Sequence, residues 1–178
     1  MVRSHVRKAS RQGCLWTDSL LIGLVISVLA FAGYALFHYV DHSPRTTTLT
    51  FNQWFENKGG YDQAQMTQKR YHQPMLVYIF ASWCPHCQEF NATILSNPTV
   101  RRFLNQYPHV RVEPEHGDAE RQIMTDYKAP GYPSFYVVSP QGARYHIDTF
   151  VSMPEVRPKT PDEFVQSVRE TINAFMRQ

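Results

Sequence analysis

The chain has 178 residues and a formal net charge of +3, and its 43% hydrophobic and 19% charged residues are typical of a folded protein. The positive charge is confined to the N-terminal end, because the rest of the chain has as many acidic as basic residues. A neutral domain without a cationic cluster lacks the surface that nucleic acid binding requires, so we exclude that class of function. Three cysteines are too few for a disulfide-stapled fold.

An uncharged and strongly apolar run covers residues 20–40. As a helix it is apolar on every face and long enough to cross the about 30 Å hydrocarbon core of a bilayer, so it predicts one transmembrane helix. The four basic residues that precede the run are Arg3, Arg7, Lys8 and Arg11. By the positive-inside rule, we expect residues 1–19 to be cytoplasmic, residues 41–48 to be a linker and residues 49–178 to be an exported domain.

A cleaved signal peptide is the alternative to an uncleaved anchor. The sequence Ala30-Phe31-Ala32 fits the small-x-small pattern of a cleavage site. The apolar run continues past this site to Phe37, however, which is farther than a signal peptide needs. We favour the uncleaved anchor, and both interpretations place the following domain outside the cytoplasm.

The exported domain is predicted to contain alternating helices and strands. Residues 51–58 and 61–72 each predict a short helix, with Gly59-Gly60 between them. The apolar, β-rich run Met75–Ala81 predicts a central strand buried on both faces. The elements expected after it are helices at 84–95 and 99–107, a strand at 110–112, a helix at 118–127, hairpin strands at 134–138 and 144–150, and a C-terminal helix from Thr160. This order predicts an α/β fold in which helices flank one mixed sheet.

The motif Trp83-Cys84-Pro85-His86-Cys87 lies between the central strand and the next helix. That position is the carboxyl edge of the sheet, where open α/β folds keep their sites. A helix N-terminus stabilises a thiolate, so Cys84 is the predicted nucleophile, and Cys87, one turn further on, is the predicted resolving cysteine. Pro85 suits a first helical turn. We expect Trp83, Pro85 and His86 to tune the site, although Trp83 can also be a plain apolar cover and His86 a solvated side chain.

Other chemistries of the two cysteines are less compatible with the sequence. A c-type haem requires a histidine directly after Cys87, where this chain has Gln88. Structural zinc requires a second pair of ligands, and the histidines of the domain are scattered singly. A purely structural disulfide would close too short a loop to add much stability. We therefore predict no cofactor and no metal.

From about Met75 to the C-terminus, the sequence resembles the thioredoxin superfamily. The resemblance rests on the strand, on the WCxxC motif that opens a helix, and on Tyr132-Pro133-Ser134 directly before a hairpin. It implies a thioredoxin-like fold and a cis peptide bond between Tyr132 and Pro133 that faces Cys84. It also implies that substrate segments bind at Tyr132 and Pro133, where they pair with the backbone as an added strand.

The sequence departs from that family at one buried position. Tyr78 stands where many members have a carboxylate in the central strand, so we do not expect a thioredoxin-like proton relay to Cys87. The Pro85-His86 dipeptide is similar to that of the DsbA-type disulfide oxidases, but the short stretch before Pro133 leaves no room for their helical insertion. The compact spacing is similar to that of membrane-tethered disulfide-interchange and cytochrome-maturation proteins.

These features predict a single-pass protein of the bacterial inner membrane with a monomeric periplasmic thiol–disulfide oxidoreductase domain. Its expected partners are exported proteins with thiols or disulfides and a membrane redox protein that recycles the dithiol. Stabilisation of the reduced form at the helix N-terminus favours an oxidant or isomerase. An envelope reductase for cytochrome c maturation, and a redox-dependent binding or metal-delivery module, remain as alternatives.

Overall fold

The structure is a computed structural model that describes residues 23–35, 49–152 and 156–177. Contacts within the chain define two units, Met1–Thr47 and Thr48–Gln178. The functional residues predicted above all fall in the second unit.

Residues 23–35 of the first unit form a helix, α1, within the predicted membrane span. In the described part of the chain, no helix is both long and apolar enough to cross a membrane. Both ends of the predicted span 20–40 lie outside the described residues, as do the predicted cytoplasmic segment 1–19 and the predicted linker 41–48.

The second unit alternates strands and helices, as predicted. Its strands are β1 (Phe55–Glu56), β2 (Met75–Ile79), β3 (His109–Val112), β4 (Ser134–Val138), β5 (Arg144–Ile147), β6 (Phe150–Val151) and β7 (Arg157–Pro158). Its α-helices are α2 (Asn57–Tyr71), α3 (Pro85–Phe90), α4 (Pro98–Leu104), α5 (Asp118–Asp126) and α6 (Pro161–Met176). A π-helical turn, Asn91–Leu95, continues α3, and a 3₁₀ turn, Pro114–His116, follows β3.

The main sheet is mixed, with the strand order β1-β3-β2-β4-β5. Strand β2 lies at its centre, parallel to β3 and antiparallel to β4. Every residue of β2 is buried, which confirms the central strand predicted from its continuous apolar run. The predicted α/β fold with a mixed sheet is therefore confirmed.

Each face of the sheet has its own hydrophobic core, because alternate residues of a strand point to opposite faces. Leu76 and Tyr78 of β2 pack in one core, which also contains Phe90 of α3 and Phe164 of α6. Val77 packs in the other core, together with residues of α2 and α5. Helices thus cover both faces, and α3 carries the WCxxC motif over the Tyr78 face.

The prediction of two helices separated by Gly59-Gly60 is wrong. Residues Phe55–Glu56 form a strand, and α2 runs through both glycines. A side chain at position 60 would place its Cβ 2.8 Å from the backbone carbonyl carbon of Phe55. Gly60 is therefore required where the first turn of α2 passes over β1, and it does not end a helix.

The hairpin prediction is right for β4 and too long for the second strand. Strand β5 ends at Ile147, and Phe150–Val151 pairs instead with Arg157–Pro158 in a small second sheet. The backbone N–H of Lys159 donates to the carbonyl of Thr149 at 3.0 Å, beside that pair. Phe150 therefore lies outside the main sheet, and its ring contacts His86 of the motif.

Candidate active site

Cys84 is the N-cap residue of α3, directly beyond the carboxyl end of β2. Its Sγ accepts a hydrogen bond of 3.3 Å from the backbone N–H of Cys87. Pro85 follows in the first turn of the helix, where its missing N–H leaves no hydrogen bond unmade. Both cysteines are free thiols and both are buried, at 5% exposure for Cys84 and 1% for Cys87. The N–H of Cys87 in the first turn of α3 thus points at the Cys84 sulfur, and Cys87 lies deeper.

The environment of Cys87 favours its neutral thiol. Burial raises the pKa of Cys87, and a side-chain hydrogen bond with Cys84 raises it further. A backbone hydrogen bond at Ala81 and an interaction with Tyr78 act in the opposite direction and lower this pKa. At neutral pH Cys87 therefore holds its proton, which suits a sulfur that reacts second.

Trp83 lies across the mouth of the site and is 62% exposed. Its indole Nε1 donates a hydrogen bond of 3.0 Å to Oε1 of Glu115. Its ring packs edge to face against Tyr132, with ring centroids 6.0 Å apart. The backbone N–H of Ser82, one residue earlier, donates to Oε1 of Glu113 at 2.7 Å. Two carboxylates after β3 therefore hold the loop that leads into α3.

Glu113 and Glu115 were not predicted as site residues. They follow the predicted strand at 110–112, and parallel β2 and β3 end at the same edge of the sheet. The sequence signal for these two residues is their position directly after β3. This strand is parallel to β2, which precedes the motif.

The Tyr132-Pro133 peptide bond is cis, as the resemblance implied. Tyr132 packs against the small apolar cluster of Ala81, Cys84 and Cys87. A cleft of about 270 Å³ lies beside this bond and is lined by Tyr132, Pro133 and Phe150, among others. The structure thus brings the predicted substrate-binding residues together with the dithiol.

His86 lies on the exposed side of α3. Its Nδ1 is 3.9 Å from Oε2 of Glu89, and its ring packs edge to face on Phe150 at 5.5 Å between centroids. Neither the contact of His86 with Glu89 nor its contact with Phe150 was predicted from the sequence. The i, i+3 spacing of His86 and Glu89 on a helix is the signal for the first of these contacts.

Tyr78 lies under α3 and is 1% exposed. Its ring stacks on Phe80 at 5.2 Å and contacts Phe90 at 5.6 Å. Burial, and then the neighbouring Cys87, raise the pKa of its phenol, so the group stays neutral across the range in which proteins work. The buried position below the dithiol is therefore occupied by an uncharged hydroxyl.

The described ranges contain no group of three His, Cys, Asp or Glu side chains arranged to hold a metal ion.

Comparison with known proteins identifies relatives of this architecture. A family model described as thioredoxin-like matches residues 52–140. The thiol:disulfide interchange protein DsbD of Pasteurella multocida is 25% identical over 132 residues, which are 72% of this chain and 22% of that protein. This chain therefore spans about a fifth of the length of that relative.

Two solved structures show the same fold. The C-terminal domain of Neisseria meningitidis DsbD in its oxidised form has a TM-score of 0.52 and 21% identity, covering 66% of this chain and 98% of that domain. A thioredoxin from Thermus thermophilus has a TM-score of 0.52 and 24% identity, covering 68% of this chain and 88% of that protein.

Proposed function

Because this chain belongs to the thioredoxin-like family, we propose that it is a thiol–disulfide oxidoreductase that acts through Cys84 and Cys87. The observation that carries the proposal is the position of Cys84 as N-cap of α3, with its sulfur accepting the N–H of Cys87. A thiolate there is stabilised by backbone N–H groups, and a thiolate is the species that attacks a disulfide.

Two sequential exchanges follow from this arrangement. The reduced Cys84 attacks one sulfur of a substrate disulfide, and the other sulfur leaves as a thiol after taking a proton. Cys87 then attacks Sγ of Cys84, which releases the substrate's second sulfur and leaves a Cys84–Cys87 disulfide. In the opposite direction the protein disulfide is reduced and a substrate dithiol is oxidised.

Substrate binding is proposed at the aromatic surface beside the dithiol, which consists of Trp83, Tyr132 and Phe150. An extended substrate segment would pair with the backbone at Tyr132 and Pro133, while its side chains occupy the adjoining cleft of about 270 Å³. Exported proteins with thiols or disulfides are the proposed substrates.

We propose the oxidant or isomerase direction over the reductant direction. A dithiol is oxidising when its reduced form is stabilised. The backbone N–H of Cys87, which donates to Sγ of Cys84, would also donate to a thiolate there, and neutral Tyr78 occupies the position where a buried carboxylate would repel that thiolate. A reduction potential nearer to that of disulfide isomerase, about −180 mV, than to that of thioredoxin, about −270 mV, would support this direction.

We also propose that residues 20–40 anchor the domain to the bacterial inner membrane, with the domain in the periplasm and a membrane redox protein recycling the dithiol. The uncharged run and the basic residues before it support this topology. A periplasm-dependent reporter enzyme fused after the C-terminus is expected to be active, and an inactive reporter would contradict the topology.

Trapping of mixed disulfides tests the proposed activity. The Cys87→Ala variant retains the nucleophile and lacks the resolving thiol, so it is expected to accumulate mixed disulfides with other proteins in cells. The Cys84→Ala variant is the matched control and should trap few. Equal trapping by both variants, or trapping by neither, would contradict the proposed activity.

A further inference from the structure

The hydroxyl of Tyr78 is a buried polar group without a hydrogen-bond partner in the described part of the chain. Its aromatic surroundings explain the lack of a partner: Trp54, Phe80, Phe90 and Phe135 all pack against the Tyr78 ring. A phenylalanine would fill this site without leaving a polar atom unpaired. An unpaired buried hydroxyl costs free energy, so its presence here calls for a role outside folding.

Phe80, on which the Tyr78 ring stacks, packs against the cluster that contains Cys84 and Cys87. Of these two sulfurs, Cys87 acts more strongly on Tyr78. Apart from burial, the interactions with Cys87 are the largest effects on the ionisation of Tyr78, and Tyr78 in turn lowers the pKa of Cys87. The other ionisable groups that act on this pair are Cys84 and Arg111, and Arg111 is held by an ion pair with Glu56 at 2.6 Å. Tyr78 is therefore the neutral donor placed beside Cys87.

A phenol and a carboxylate act differently at this position. A carboxylate can take a proton from Cys87, but its charge opposes the thiolate that results. A phenol carries no charge and donates one hydrogen bond. A neutral thiol is a weak acceptor, whereas a thiolate accepts strongly, so the Tyr78 hydroxyl gains a good partner only when Cys87 ionises.

We propose that the Tyr78 hydroxyl donates a hydrogen bond to the Cys87 thiolate in the step that resolves the mixed disulfide on Cys84. In this step Cys87 loses its proton to solvent and its sulfur attacks Sγ of Cys84. The bond between Cys84 and the substrate sulfur breaks, and the substrate thiolate takes a proton from solvent. Cys84 and Cys87 end as a disulfide, and the substrate sulfur is reduced to a thiol.

This inference rests on the proposed function, because it concerns the second exchange of that reaction. Cys84 carries no charge in the mixed disulfide, so its repulsion of Cys87 is absent there. What remains to stabilise the new thiolate is a backbone hydrogen bond at Ala81 and the Tyr78 donor. Removing the hydroxyl should therefore slow the second exchange and leave the first unchanged.

Reaction of the full reduced chain with dithionitrobenzoate separates the two exchanges. Attack by Cys84 releases one thionitrobenzoate at a rate that depends on reagent concentration, and attack by Cys87 releases a second at a rate that does not. A Cys14→Ser background limits the reaction to the two cysteines of the motif. We expect Tyr78→Phe to slow the second release about tenfold and to leave the first unchanged.

Tyr136→Phe is the matched control. Tyr136 is a buried tyrosine on the adjacent strand, and it packs in the core on the other face of the sheet. We expect both phases of this variant to match the wild type. An unchanged second phase in Tyr78→Phe, or an equal slowing of both phases, would overturn the inference. Release of only one thionitrobenzoate by the wild type would instead contradict the proposed function.

The ionisation of Cys87 provides a readout that a packing role would not change. In the Cys14→Ser and Cys84→Ser background, the Cβ chemical shift of ¹³C-labelled Cys87 reports its titration. We expect Tyr78→Phe to raise the pKa of Cys87 by about one unit, which corresponds to the tenfold kinetic effect. An unmoved or lowered pKa in that variant would overturn the inference.

Discussion

The indole Nε1 of Trp83 donates a hydrogen bond of 3.0 Å to Oε1 of Glu115. This bond joins the loop before α3 to the turn after β3, and it holds the exposed indole beside Tyr132. An exposed tryptophan fixed in one orientation offers a binding surface that loses little conformational entropy when a substrate docks. A small disulfide has less area to place on this surface than a peptide does, so we expect it to depend on the surface less.

The first prediction concerns this contact. Glu115→Ala removes the acceptor and frees the indole, so kcat/KM for a peptide disulfide should fall about two- to tenfold. The rate with hydroxyethyl disulfide should not change. Glu170→Ala, which removes an exposed carboxylate on α6, is the control for the change in net charge. Equal losses with both substrates would show that the contact does not act through substrate binding.

The second prediction concerns the first turn of α2. Gly60→Ala places a Cβ 2.8 Å from the carbonyl carbon of Phe55, so the free energy of unfolding should fall by about 1–3 kcal/mol. At neighbouring Gly59 a Cβ meets nothing within 4 Å. Gly59→Ala should therefore leave stability unchanged or raise it by up to about 1 kcal/mol. Chemical denaturation measures both values, and equal effects would contradict the close approach of α2 to β1.

The third prediction concerns the buried His109. Burial lowers the pKa of His109, against the opposing effect of a hydrogen bond to the Tyr107 carbonyl at 2.8 Å. The folded state therefore binds fewer protons than the unfolded state near the reference value of about 6.5. Stability should be fully present above about pH 6.5 and should decrease as the pH falls from there toward the lowered folded-state pKa.

Unfolding by urea at about pH 7.5 and about pH 5.5 brackets that window. His109→Gln and His109→Asn both lack the titrating ring and should both show a smaller loss of stability at the lower pH than the wild type. The two variants differ in side-chain volume. If the free energy of unfolding depends less on pH in both of them, the effect comes from the loss of titration and not from a change in packing. A wild-type pH dependence that survives in both variants would contradict the prediction.

The central part of the fold follows from local sequence signals. The continuous apolar run Met75–Ala81 is short, β-rich and without a polar face, so it predicts a strand buried on both faces, and β2 (Met75–Ile79) is that strand. The local sequence also predicts where α6 begins, because Thr160 and Glu163 form a capping box around Pro161. These signals require no information from distant residues.

The errors and omissions come from contacts that the local sequence pattern does not show. A Gly-Gly pair predicts a break, and only the approach of Phe55 to Gly60 shows why α2 continues through it. Glu113 and Glu115 become site residues only because β3 ends beside β2. The sequence does not show that the Tyr78 hydroxyl lacks a hydrogen-bond partner among the described residues, because this depends on how the core packs.

The last prediction concerns the redox direction and the pair formed by His86 and Glu89 on α3. A protonated His86 beside the motif favours the Cys84 thiolate, whereas the Glu89 carboxylate, 3.9 Å from the His86 ring nitrogen, opposes that effect. Stabilising the thiolate stabilises the reduced form and makes the disulfide more oxidising. His86→Ala should therefore make the reduction potential more negative, and Glu89→Gln should make it less negative.

Both shifts in reduction potential should amount to tens of millivolts or less. Exposed charge pairs contribute at most about 1 kcal/mol, and about 30 mV corresponds to about 1.4 kcal/mol for a two-electron couple. Equilibration with glutathione buffers measures the potentials. Since His86 also packs on Phe150, His86→Phe keeps a ring at that contact and removes the titratable nitrogens, and it should match His86→Ala. Shifts of the same sign in His86→Ala and Glu89→Gln would contradict an electrostatic origin and would remove one support of the oxidant assignment.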